Sequence, residues 1–191
     1  MELLRAYVTD SLKKNLSQSL KYHGLHHTLD VVNSSLHLAQ LEGITDPKEL
    51  LLLETAAWFH DIGFISTFYG HEEESCKIAE QVLPNFGYSN SEISIIKNLI
   101  MATKIPQNPK NLLEKILADA DLDYLGRDDF EKISETLFME LKEKMIVQDL
   151  FEWNKIQIRF LSAHKYWTKS ASKLRESKKN ERLKFLMANN Q

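Results

Sequence analysis

Leu4, Val8, Leu12 and Leu16 place an apolar side chain on every fourth residue, and the spacing predicts an amphipathic helix over residues 2–20. Leu29, Val32, Leu36 and Ala39 share one face of a second helix, expected from about Leu25 to Leu41 and closed by Gly43. Asp46, Pro47 and Glu49 supply a cap, a first-turn proline and a capping-box acid for a third helix. Its long apolar run ends in AAWFHDIGF, residues 56–64, where Gly63 stops the helix and leaves His60 and Asp61 on its last turn. Residues 64–70 read as a loop. A fourth helix opens at His71 or Glu72, with Cys76, Ala79 and Leu83 inward and Pro84 beyond its end. Ser89 and Glu92 form a capping box for a helix over 90–102, and Asn108 and Pro109 start one that reaches Asp119 to Asp121. Asp128 caps a helix of about five turns. Two more follow over about 149–166 and 168–187, with Thr168 as the cap between them. The closing SKKNERLK reads as a solvated charged face or a frayed end. No stretch supports a strand, so the pattern predicts an all-α chain.

Composition agrees and removes some functions. Six Gly and four Pro leave little room for a turn-rich β fold, and 43% hydrophobic with 27% charged residues is ordinary for a soluble globular protein. At 191 residues, one domain with a substantial core is expected over 1–191. A net charge of −3 leaves no basic excess to neutralise phosphates, which argues against general nucleic-acid binding. Cys76 is the single cysteine, so no intrachain disulfide or cysteine-based zinc site is expected, and a reducing, cytoplasmic setting is the default. The N-terminal stretch is amphipathic and interrupted by charge, unlike a signal peptide. The leucine run at 50–53 is far too short for a bilayer, so no membrane partner is expected.

The chemistry concentrates in three segments: YHGLHHTLDVV (22–32), AAWFHDIGF (56–64) and LADADLDYLGR (117–127). A carboxylate beside an imidazole at the end of an apolar run is costly to bury unless it is paired or binds a metal. Imidazole and carboxylate together suit a borderline divalent ion. Adjacent residues on a helix point about 100° apart, so His60 and Asp61 meet at one ion only if it lies off the helix end. His23 and His27, spaced i, i+4, share a face if their helix starts early enough. His164 and Trp58, Phe59, Trp153 and Trp167 read as core, whereas Phe64, Phe68 and Tyr69 are placed to line a pocket.

In their order and flanks, with YHxxxHT leading into a helix, AAxxHDIG ending one and DADLDxLG closing the set, these segments resemble the HD superfamily of metal-dependent phosphohydrolases over roughly residues 20–127. The resemblance implies an all-α, HD-domain-like helical bundle with extra C-terminal helices over 128–191. It implies His27, His60, Asp61 and Asp121 as metal ligands. His27 is preferred to His26 because it precedes Thr28, and Asp119 and Asp123 are left to support or cap. His23 holds the place of the general acid of the similar cyclic-nucleotide phosphodiesterases, although Gly24 replaces their Asn. The implied activity is hydrolysis of a phosphomonoester or phosphodiester, with a nucleotide as the expected substrate class, by metal-activated water. His23 or His71 would protonate the leaving oxygen, with Asp61 at the centre of the chemistry. Lys104 and Arg127 are candidate phosphate clamps.

Phe64 stands where some members carry Glu or Lys, which argues against the nucleotidase and (p)ppGpp-hydrolase types. His71 is the only further His between the His-Asp pair and Asp121, so one divalent ion (Mn, Fe, Co, Ni, Zn or Mg) is expected rather than two. The alternatives are a non-catalytic HD-like module that binds a nucleotide or partner around a structural metal, and a di-iron oxygenase, which needs more His ligands. Residues 128–187 offer enough apolar helix face to cover the core or to form a homodimer.

Overall fold

A computed structural model of the chain describes residues 1–190. Its helices are α1 (Glu2–Asn15), α2 (Leu25–Leu41), α3 (Pro47–Phe59), α4 (His71–Val82), α5 (Asn90–Met101), α6 (Leu112–Asp121), α7 (Phe130–Glu143), α8 (Leu150–Ala163) and α9 (Lys169–Asn189). Short 3-10 turns cover Ile62–Ile65, Leu83–Phe86 and Asp123–Gly126, and the described residues contain no strand. The fold is all-α, as the periodicity predicts.

Every residue of α3 from Leu52 to Phe59 is buried, because this helix is surrounded by its neighbours and has no solvent face to pattern. Helices α2, α5 and α6 pack on it, contributing Val31, Leu38, Ile96, Ile100, Ile116 and Leu117 to the main core. Leu4, Val8 and Leu12 fasten α1, which ends at Asn15 rather than near residue 20. A second cluster of Tyr22, Leu122, Tyr124, Leu125, Phe130 and Leu161 ties α7 and α8 to the half that carries the three motifs.

The predicted caps at Asp46, Ser89 and Thr168 are present: Asp46 accepts from the Lys48 N–H, Thr168 accepts from the Ala171 N–H, and Ser89 with Glu92 closes a capping box. Other boundaries differ. Helix α6 starts at Leu112, because the Asn111 side chain rather than Asn108 meets the Glu114 N–H, at 3.0 Å. Asp129 holds the N-cap position of α7 without a side-chain capping bond, its carboxylate turned to Arg127, and Asp128 instead pairs with Lys178. The 14 residues of this helix make about four turns, not five.

The largest departure lies in SKKNERLK, which is helical rather than frayed and keeps only one side, with Ser177, Asn180, Glu181 and Lys184, in solvent. Lys179 is 1% exposed, donating to the His164 carbonyl at 2.7 Å and pairing with Glu176 at 2.9 Å. Arg182 donates to the Arg127 carbonyl and lies over the Phe130 ring. Two aspartates of the third motif hold α9 from the other side. Asp119 accepts from the Trp167 and Thr168 N–H groups and the Thr168 hydroxyl at 2.7–2.8 Å, and Arg175 grips Asp123 with bonds of 2.7 and 3.1 Å. Burial pushes the Asp119 carboxyl up to about 6, against the pull of those three donors. Asp119 and Asp123 therefore anchor the C-terminal helices.

Gly63 allows one further close approach. A Cβ here would collide with the backbone of His71 and Ser75 at the start of α4, and the Gly63 N–H donates to Ser75 Oγ at 2.8 Å. Gly63→Ala is expected to destabilise the protein by about 1–3 kcal/mol, since the obstacle is backbone that cannot step aside. A chemical-denaturation midpoint equal to wild type would contradict this.

Candidate metal centre

At three helix ends the ligand atoms of His27, His60 and Asp121 come within 4.8 Å of one another, and Asp61 lies beside both histidines. Helix α2 begins at Leu25 after an extended Gly24, so His27 lies on its first turn facing inward and His26 faces solvent. His60 caps the C-terminus of α3, and Asp61 precedes the 3-10 turn that starts at Ile62. The chain leaves helical geometry between these two residues, so adjacent side chains reach the same place. Asp121 is the last residue of α6.

His27 Nε2 lies 3.0 Å from Asp121 Oδ1 and 3.4 Å from both Asp61 Oδ2 and His60 Nε2. His60 Nε2 lies 3.2 Å from Asp61 Oδ2 and 3.6 Å from Asp121 Oδ1. His60 Nδ1 donates to the Ala57 carbonyl at 2.8 Å, which fixes the tautomer and turns the Nε2 lone pair toward the others. Asp61 Oδ2 is buried and has no hydrogen-bond partner among the described residues.

Two imidazole nitrogens and two carboxylate oxygens aimed at one another repel unless positive charge lies among them. Burial works against a charged His60, yet Asp61 and Asp121 outweigh it and raise its pKa well above the ordinary imidazole value. Burial likewise opposes ionisation of Asp61, but His60, with His23 and His27, holds its carboxyl far below the usual range. A divalent ion meets the same demand. Bonds of about 2.0–2.2 Å subtend ligand separations of about 3.0 Å at a right angle and about 3.4 Å at the tetrahedral angle, which the observed 3.0–3.6 Å matches. His27, His60 and Asp121 are placed to hold one ion, and Asp61 Oδ2 lies within 3.4 Å of both imidazole nitrogens.

Around this centre the expected acids are ordered by groups far away in sequence. His23 precedes α2, so it does not share the helical face of His27. Its Nδ1 donates to Glu140 Oε1 at 2.5 Å, while Glu140 Oε2 accepts from the Tyr22 and His23 N–H groups at 2.9 and 3.1 Å. Glu140, on α7, has no exposed surface. Sequence reasoning missed it. The available signal was its position in the inward stripe of α7 with Phe130, Ile133 and Leu137, where a charge is out of place. His71 opens α4, its Nδ1 donating to the Phe68 carbonyl at 3.2 Å and its Nε2 lying 3.5 Å from Asp61 Oδ1 and from Glu72 Oε1. Phe64 is stacked between the two imidazoles, 4.1 Å from His23 and 3.9 Å from His71.

The expected clamps lie elsewhere. Lys104 pairs with Glu73 in solvent, while its neighbours Thr103 and Ile105 line the cavity beside the metal centre. Arg127 spends its guanidinium on Asp30 and Asp129, both at 2.8 Å, and lies 3.5 Å from Asp123, lining a separate surface cleft. Of the aromatic residues expected at the pocket, Phe64 serves the histidines and Tyr69 is 78% exposed. The cavity has a volume of about 240 Å³ and is lined by Asp61, Asp121, His23 and His71, by Tyr22, Leu122, Tyr124 and Leu125, and by largely apolar side chains of α7 and α8.

Among the known structures similar to this chain is a crystal structure of a predicted HD superfamily hydrolase from an uncultured Thermotogales bacterium, alike over 98% of this chain and 90% of its own, with a TM-score of 0.62 and 21% identity. That likeness is one of fold. Comparison with curated proteins returns no match. The family model described as the HD domain matches residues 24–123, from the start of α2 to just beyond the last converging aspartate. All four converging ligands lie inside that span, and the chain belongs to the HD-domain family.

Proposed function

We propose that this protein is a metal-dependent phosphohydrolase that cleaves a phosphomonoester or phosphodiester. The observation that carries the reading is the grouping of His27, His60 and Asp121 beside a buried Asp61 oxygen with no partner among the described residues, next to a cavity that Asp61 and Asp121 line. A divalent ion bound there would acidify water and offset charge on a phosphoryl group. The other steps fall to the chain. Glu140 accepts the Nδ1 proton of His23, holding the ring so that Nε2 is left to carry a proton to the leaving oxygen. Glu140 also stabilises the ring when it is charged. His71 stands beside Asp61 as a second imidazole, and Phe64 restrains both rings in plane. Nucleotide esters, the class the resemblance suggests, would have to enter without a cationic clamp.

Titrating the metal-free protein with Mn²⁺, Co²⁺, Ni²⁺ or Zn²⁺ is expected to raise its stability, by about 2.7 kcal/mol at a hundredfold excess over Kd. The loaded protein is expected to hydrolyse p-nitrophenyl phosphate or bis(p-nitrophenyl) phosphate. A folded protein whose melting temperature ignores all four ions would sink the proposal.

A further inference from the structure

We infer that the ester taken by this site carries an apolar organic group, an alkyl or aryl body, rather than a nucleoside or a polyphosphate. The inference rests on the phosphoryl reading of the metal centre and deepens it. Beyond the two histidines and two aspartates, the cavity is walled mainly by apolar side chains such as Leu125, Leu137, Ile156, Phe160 and Leu161, with the rings of Tyr22, Tyr124 and Trp153 among them, and no lysine or arginine among the described residues lines it. Two of the polar side chains beside that wall are already engaged. Gln157 accepts from Ser134 at 2.7 Å and donates to Asn154 at 3.2 Å, and Thr103 donates to the Ile100 carbonyl at 2.8 Å. A purine or pyrimidine would bury its hydrogen-bonding edge against hydrocarbon, at the cost of its bonds to water.

Charge points the same way. A divalent ion balances Asp61 and Asp121, and Glu72 adds one more carboxylate at the cavity edge. One phosphoryl group can be met by the ion and a ring N–H of His23 or His71. The further phosphates of a nucleoside diphosphate or triphosphate would face acid without a cation. At about 240 Å³ the cavity is also below the roughly 300–1,000 Å³ of clefts that hold drug-sized ligands. Ile156, Phe160 and Leu161 belong to α8 and Leu137 to α7, so the apolar selectivity comes largely from the helices beyond the matched domain.

The test is calorimetric binding of ethyl-, butyl-, hexyl- and octylphosphonate, and of AMP, to the Mn²⁺-loaded full chain. Affinity is expected to rise about fourfold per methylene until the wall is covered and then level off. AMP is expected to bind no tighter than ethylphosphonate. Ile156 is 40% exposed, so Ile156→Asp should fold and is expected to remove the gain with chain length. Affinities independent of chain length, or AMP binding tighter than hexylphosphonate, would overturn the inference, and the wild-type series alone decides it. Hydrolysis of p-nitrophenyl phosphate by the same preparation separates the two readings. Turnover with a flat series removes the apolar pocket and keeps the phosphohydrolase, whereas a rising series without turnover does the reverse.

Discussion

Asp61→Asn is expected to abolish metal binding and, with it, any hydrolysis. The substitution keeps the size of the side chain and removes its charge, leaving two imidazoles and Asp121 to hold a divalent ion. Changes to groups that only support a ligand typically cost about 10–100-fold in metal affinity. Loss of a ligand charge should therefore cost at least about 100-fold. Asp61 Oδ2 is 3.2 Å from His60 Nε2 and 3.4 Å from His27 Nε2, so its charge lies beside both imidazoles. Elemental analysis of purified wild type and variant, with melting curves with and without added ion, gives the answer. Wild type should hold one ion per chain and gain stability from it, and the variant should do neither. An ion retained at full stoichiometry after the substitution would remove Asp61 from the ligand set.

Glu140→Ala should be the most damaging single change to the fold. Its carboxylate is fully buried and accepts from the Tyr22 and His23 N–H groups and from His23 Nδ1. Truncation strands these donors at the junction between α7 and the segment leading into α2. The expected loss is about 3–5 kcal/mol, the range seen when one partner of a buried pair is removed. Glu140→Gln keeps the volume and isolates the charge. It should fold, and its kcat should fall by about 10²–10⁴ because His23 loses the group that orients it and steadies its charged form. KM should change less than kcat, which a purely structural defect would not predict.

Acid supplies a second check on the same residue. Burial works to raise the Glu140 carboxyl, but His23 and the two backbone N–H groups outweigh it and lower it below the usual glutamate value. An acid with a lowered folded pKa contributes stability that is complete above its unfolded pKa, about 4.3. That contribution fades as the pH falls through the folded value. The stability gap between wild type and Glu140→Gln should therefore be widest above about pH 4.3 and narrow below it. A gap independent of pH would mean that the carboxylate charge plays no part.

Much of the site was legible because its signals are local. A helix that ends beside a His-Asp pair and an aspartate that closes α6 can be read within a few residues, as can the caps at Asp46, Ser89 and Thr168. Each depends on backbone groups no more than a turn away, so neighbouring residues suffice to specify it. The side-chain partners were not legible for the opposite reason. Arg127 stands beside a motif as a phosphate clamp should, yet Asp30, 97 residues earlier in the chain, has its Nη1. Lys179 lies in a run of charges that any solvent-facing helix could carry. Its burial depends on the His164 carbonyl being brought above it by the turn between α8 and α9.

From the sequence alone follow the all-α class, the order of the helices and the three contexts that supply His27, His60, Asp61 and Asp121. Periodicity, capping and motif order are properties of short stretches and survive without knowledge of packing. Only the tertiary structure decided what surrounds those ligands. Glu140 reaches His23 across 117 residues, Phe64 lies between two imidazoles, and the wall of α7 and α8 carries no cation among the described residues. Such pairings are chosen by the packing of whole helices against one another, and a single turn of sequence does not encode which distant face it will meet.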